Sequence, residues 1–121
     1  MNKKEILKLT NDELNGEARD LVATTSLAKT MWPDDMYPDD MSAAWWLAES
    51  VYGRGGKIKS GAWALGTVEN GRDCAHACLM WKSKSFTGYR PLQVSVTCPR
   101  GEMARAITLC WVCAMLGVCD E

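Results

Sequence analysis

The stretch "GEMARAITLCWVCAMLGVC", residues 101–119, decides how the rest of the chain must fold. Glu102, Met103, Ala106, Ile107, Cys110 and Ala114 recur at helical spacing, with Pro99 near the first turn and Gly117 near the exit, so a C-terminal helix is expected. From Leu109 to Cys119 it is apolar around most of its circumference, so it must be a central buried helix or one side of a dimer. A single domain needs such an element in its core, which favours the first reading. The run is also far shorter than the roughly 20 residues that span a bilayer.

Upstream of this helix the pattern changes to strands. "LQVSVTC", residues 92–98, alternates cleanly, and "GAWALGTVE" and "DCAHACLMW" flank Asn70-Gly71, a dipeptide suited to a hairpin. A three-stranded antiparallel meander is expected. Before it, "MSAAWWLAESVYG" predicts a helix with Met41, Ala44, Trp45, Ala48, Val51 and Tyr52 on one stripe and Gly53 at its exit. "LTNDEL", residues 9–14, opens another helix over about 11–25. There Thr10 and Glu13 can cap each other's amides, Leu9 can staple onto Leu14, and Leu14, Ala18, Leu21 and Val22 recur at helical spacing. Gly16 inside it costs on the order of 1 kcal/mol relative to Ala. The expected architecture is an α+β single domain over residues 1–121, ordered helix, helix, three strands, helix, with helices packed on the faces of an antiparallel sheet.

Between the first two helices lies "MWPDDMYPDDM", residues 31–41. Pro33 and Pro38 disfavour helix, so the stretch reads as an irregular connection in which Asp39 or Asp40 caps the following helix. Capping leaves Asp34 and Asp35 unexplained. Four aspartates interleaved with Trp32 and Tyr37 combine charge with large amphipathic anchors, the mixture expected of a patch that docks on a basic protein groove. An ordinary soluble loop has the same composition.

Charge and cysteine usage narrow the function classes. Net charge is −1, but residues 1–50 carry ten acids and five bases while residues 51–121 carry five acids and nine bases, so the molecule is expected to be dipolar. The start Met1-Asn2-Lys3-Lys4 is followed by no apolar run of signal-peptide length, and a soluble, cytoplasmic protein is the expectation. There the six cysteines are expected as thiols or ligands rather than a disulfide framework. Six tryptophans against one phenylalanine point to core edges or a docking surface.

Three constellations bear on chemistry. Cys74, His76 and Cys78 would share one side of a strand, with either sulfur a nucleophile and His76 its base. No third orienting group accompanies them, and apolar surroundings raise a thiol pKa, so a half-buried histidine bonded to a neighbour is the expected reading. Those residues with Cys110 and Cys113 could hold zinc, but structural zinc uses cysteine pairs two to four apart on turns, so no metal and no cofactor are expected. "GRGGKIKS", residues 53–60, lacks the glycine spacing and following helix of a phosphate loop. Arg54, Lys57, Lys59, Lys82, Lys84 and Arg90, with Arg72 and Trp81, could instead form a basic rim for nucleic acid. A calculated pI near 5.8 argues against direct nucleic-acid binding.

The element order and local wording resemble the phage ABA sandwich domain family of small phage and prophage proteins. "LTNDEL", "YPDDMSAAWWLAE" and Ala104-Arg105-Ala106-Ile107 carry the resemblance, at both ends of the chain. The central region is longer and richer in cysteine than the family pattern, and the Cys98-Pro99-Arg100-Gly101-Glu102 lead-in differs from it. The resemblance implies a phage origin, a fold of helix and sheet layers, and no catalytic residues. It further implies a non-enzymatic accessory protein whose partner is a bacterial host protein or nucleoprotein complex. The most concrete version is a steric, anti-CRISPR-like inhibitor of a CRISPR-Cas effector, in which either the acidic, aromatic connection with Trp32, Asp34, Asp35, Tyr37, Asp39 and Asp40 or the basic rim covers a surface that the complex needs for nucleic acid or a recruited nuclease.

Overall fold

A computed structural model of the chain describes residues 1–24, 36–52, 63–70, 74–85 and 88–120. The elements run α1 (Lys3–Leu7), α2 (Asn11–Ala23), α3 (Met41–Tyr52), β1 (Trp63–Asn70), β2 (Cys74–Ser85), β3 (Gly88–Pro99) and α4 (Met103–Met115). It is an α+β fold with helices packed on an antiparallel sheet, as the sequence predicts.

The C-terminal helix is the centre of the molecule. Eleven of the thirteen residues of α4 are buried, leaving only Arg105 and Met115 half-buried. It packs against all three strands and all three other helices. A helix covered on every side has no polar face to keep, which is why its sequence is apolar all round. Its ends are set by two glycines with positive φ. Gly101 (φ 90°) turns the chain out of β3, so Pro99 closes that strand and does not open the helix. Gly117 (φ 75°) ends α4 in a Schellman motif, with Gly117 N–H donating to Ala114 O at 3.0 Å and Val118 N–H to Cys113 O at 2.8 Å.

The sheet has the order β1-β2-β3. Val68, Ala77 and Val96 align across it, as do Leu65, Leu79 and Val94, with a bulge between Leu65 and Thr67. Ala75, Ala77, Leu79, Val94, Val96 and Cys98 are buried, while the residues between them are half-buried or exposed, so one face of β2 and β3 meets α4. The Cys110 thiol joins the two layers by donating to Ala77 O at 3.1 Å. Both strands extend beyond their predicted spans. The first register pairs Asn70 with Ala75, and Gly71 of the expected hairpin turn lies outside the described residues.

On the other side of α4 lie α1, α2 and α3. The Thr10–Glu13 capping box forms as predicted, with Glu13 N–H donating to Thr10 Oγ1 at 3.2 Å and Thr10 N–H to Glu13 Oε1 at 3.0 Å. Leu14, Ala18 and Val22 are buried, and Leu21 is half-buried against them. A second capping box, Asn2 with Glu5, starts the short α1, and Ile6 anchors it in the core. That helix is not apparent from the sequence. The expected stripe on α3 is rotated: Ala43, Ala44 and Leu47 are buried, whereas Met41 and Trp45 face outward. Lys3 pairs with Asp120 and so ties the first helix to the tail beyond α4. Among the described residues no helix is long and apolar enough to cross a membrane.

The Trp111 indole is fully buried, and its Nε1 has no hydrogen-bond partner among the described residues. An unmet buried donor costs about 1–3 kcal/mol, which the burial of a ring this large offsets.

Gly16 is exposed on α2, and an added Cβ there would meet nothing within 4 Å. Gly16→Ala should therefore raise stability by about 0.5–1 kcal/mol, read as a higher urea midpoint at unchanged slope.

Candidate functional site

The region that opens α3 is built by the acid-rich connection. Met36 O accepts from the amides of Asp39 (3.0 Å) and Asp40 (2.8 Å), forming a turn that ends at the helix. Asp40 is the cap: its Oδ1 accepts from Ser42 N–H at 2.9 Å and Ala43 N–H at 3.3 Å, while its carbonyl accepts the first helical bond from Ala44. Asp39 Oδ1 accepts from Asn11 Nδ2 at 2.7 Å. Both side chains remain exposed.

Tyr37 requires a correction. Expected as a docking anchor, it is instead completely buried, with its ring stacked on Trp46 at 6.2 Å and its N–H donating to Asn15 Oδ1 at 2.9 Å. A core residue cannot anchor a partner. Pro38 fixes the turn that drives Tyr37 inward, and the buried Asn15 meets the backbone amide that comes with it. Trp32, Asp34 and Asp35 lie outside the described residues. The exposed apolar groups at this site are Met41 (43%) and Trp45 (38%), one helical turn apart and beside Asp39 and Asp40.

A polar relay runs from this site into the core. Asn11 donates to Asp39 and accepts from Arg105 Nη1 through its Oδ1 at 2.7 Å; Arg105 Nη2 also donates to Leu9 O (2.6 Å) and Leu7 O (3.2 Å). One guanidinium thus satisfies the end of α1, the entry to α2 and, through Asn11, the turn before α3. The signal in the sequence is the lone charge of a helix otherwise apolar, which read only as part of a family motif.

The cysteines divide between the two faces of the sheet. Cys74, His76 and Cys78 do share one face of β2, but it is the face turned away from α4, and His76 Nδ1 lies 3.0 Å from Thr97 Oγ1. Cys110 and Cys113 are buried on α4, on the opposite side of the sheet. Among the described residues no three His, Cys, Asp or Glu side chains converge as metal ligands. Burial pushes the Cys98 thiol up despite the Arg105 charge, pushes Cys113 up to about 11, and raises Cys110 further still. Protonated thiols are poor nucleophiles.

Of the predicted basic rim, Arg54, Lys57 and Lys59 lie outside the described residues. Lys82, Arg90 and Lys84 stand opposite Pro91, Ser83 and Tyr89 in the β2–β3 register. Comparison with protein-family models, curated proteins and solved structures finds no match. The fold and site alone define the class: an α+β domain in which two exposed apolar side chains at the start of α3 follow a pair of exposed carboxylates.

Two outcomes follow for this architecture. Arg105→Met should cost about 2–3 kcal/mol, because it strands the Leu9 carbonyl and the Asn11 amide, and Arg105→Lys should not fully restore it because an ammonium lacks the planar fork; chemical denaturation measures both. Below the ordinary thiol value of 9.0, Cys110 and Cys113 are neutral folded or unfolded, so their titration adds no pH dependence to stability. Above it the unfolded chain ionises first, so stability should fall by up to about 1.4 kcal/mol per pH unit per thiol, with Cys113→Ala showing a shallower slope in denaturation series on either side of pH 9.0.

Proposed function

We propose that this protein acts without catalysing a reaction, by binding another protein through the start of α3. Met41 and Trp45 supply apolar contact area, and Asp39 and Asp40 supply negative charge at its border. The single observation that carries the reading is the outward orientation of these two large side chains, one turn apart, on a helix whose other face is in the core. Tryptophan in such a setting is the residue type most often found to dominate binding energy, and border carboxylates steer association with a cationic partner. The partner class is a basic protein surface with an apolar recess. In its most concrete form, which rests on the sequence resemblance, it is a bacterial defence complex such as a CRISPR-Cas effector. Its nucleic-acid groove carries positive charge and would be blocked sterically.

Capture from defence-bearing bacterial lysate, followed by titration of the purified partner, tests this reading. Trp45→Ala should weaken binding by on the order of 30-fold, the effect of losing a hot-spot aromatic of about 2 kcal/mol. Binding should also weaken with added salt through Asp39 and Asp40, and a urea midpoint measured beside each titration separates lost contact from lost fold. Turnover of any substrate by the purified chain, lost in Cys74→Ser or His76→Ala with the fold intact, would overturn it.

A further inference from the structure

The outer edge of β3 is occupied by the chain's own tail at one point. In the β2–β3 ladder Gln93, Ser95 and Thr97 stand opposite Met80, Cys78 and His76. At Gln93 and Ser95 the backbone groups turn away from β2 and meet Asp120. Asp120 N–H donates to Gln93 O at 2.7 Å, and its Oδ2 accepts from Ser95 N–H at 2.9 Å. Lys3 Nζ holds the other carboxylate oxygen. Strand alternation directs the N–H and C=O of Thr97 to the same side.

This edge is suited to pairing. Residues 92–98 contain no charge and no proline, and Val94, Val96 and Thr97 are β-branched. Such a window leaves a row of unmet backbone groups that templates another strand unless something covers or charges it. Among the described residues, Asp120 does both. It brings a carboxylate to the middle of the edge and consumes one acceptor and one donor there.

We propose that Asp120 is a plug on the β3 edge, and that withdrawing it lets the edge pair antiparallel with β3 of a second copy of this chain. A copy is the fitting occupant because antiparallel self-pairing is symmetric about a two-fold axis, so each donor meets an identical strand's acceptor. Within residues 92–98 the paired strands bring no like charges together, and Pro91 and Pro99 bound the length that can pair. Gln93, Ser95 and Thr97 then add neutral polar contacts along one face. Among the described residues the plug is also small: an isolated bridge on the segment that leaves α4 at Gly117, held from outside by a half-exposed ion pair.

The test compares Asp120→Ala with the unaltered chain by sedimentation across a concentration series, together with amide hydrogen exchange at Thr97. The variant should shift with concentration toward twice the monomer mass while the unaltered chain does not, and exchange at Thr97 should slow as the dimer forms. A variant whose mass stays constant overturns the proposal, as does an unaltered chain already at the double mass. Association accompanied by faster exchange throughout β3 also overturns it, since that marks loss of the fold rather than pairing of its edge.

Discussion

The burial of α4 on all sides is the constraint from which the other features follow. A sheet face and a helical layer must both fit against it at contact distance, which favours small and branched residues where they meet: Ala75, Ala77, Val94 and Val96 from the strands, Ala18 and Ala44 from the helices. The buried thiols belong to the same logic. Cysteine packs as a small hydrophobe, and the Cys110 hydrogen bond to a sheet carbonyl fixes the helix over β2 with no added bulk. Thr108 is accommodated in the same helix because its hydroxyl returns to Ala104 O at 2.8 Å and so exposes no unmet donor.

Arg105 marks the boundary of that apolar volume. Its stem lies beside the core while its fork reaches the junction of α1 and α2, so a charge on the central helix organises the turns around it. Through Asn11 the same group positions Asp39, and Asp39 borders the exposed face of α3. The candidate binding surface is therefore braced from the core.

Local rules were the most legible. The Thr10–Glu13 box, the Asp40 cap and the alternation of residues 92–98 each depend on neighbours in sequence, and each forms as read. The orientation of α3 was not legible because apolar residues occupy most of its positions, so more than one stripe satisfies helical spacing and packing against α4 decides between them. Tyr37 was misread for the opposite reason: proline and aspartate around it imply a surface loop, yet a stack with Trp46 and a buried Asn15 draw it inside. The ends of β2 and β3 carry the polar composition of a loop and are held as strand by pairing across the ribbon. Lys3–Asp120 joins groups 117 positions apart, and nothing in the neighbourhood of either predicts the other.

The position of α4 along the chain has a bearing on how the protein is made. Every other layer rests on a helix that begins at Met103, so during synthesis the earlier helices and strands emerge before the element they enclose exists. A nascent chain in this order cannot close its core from the N-terminus forward, and its strand edges and apolar helix faces wait until α4 has emerged. Translation that stops short of residue 103 would yield a product with no centre to collapse around.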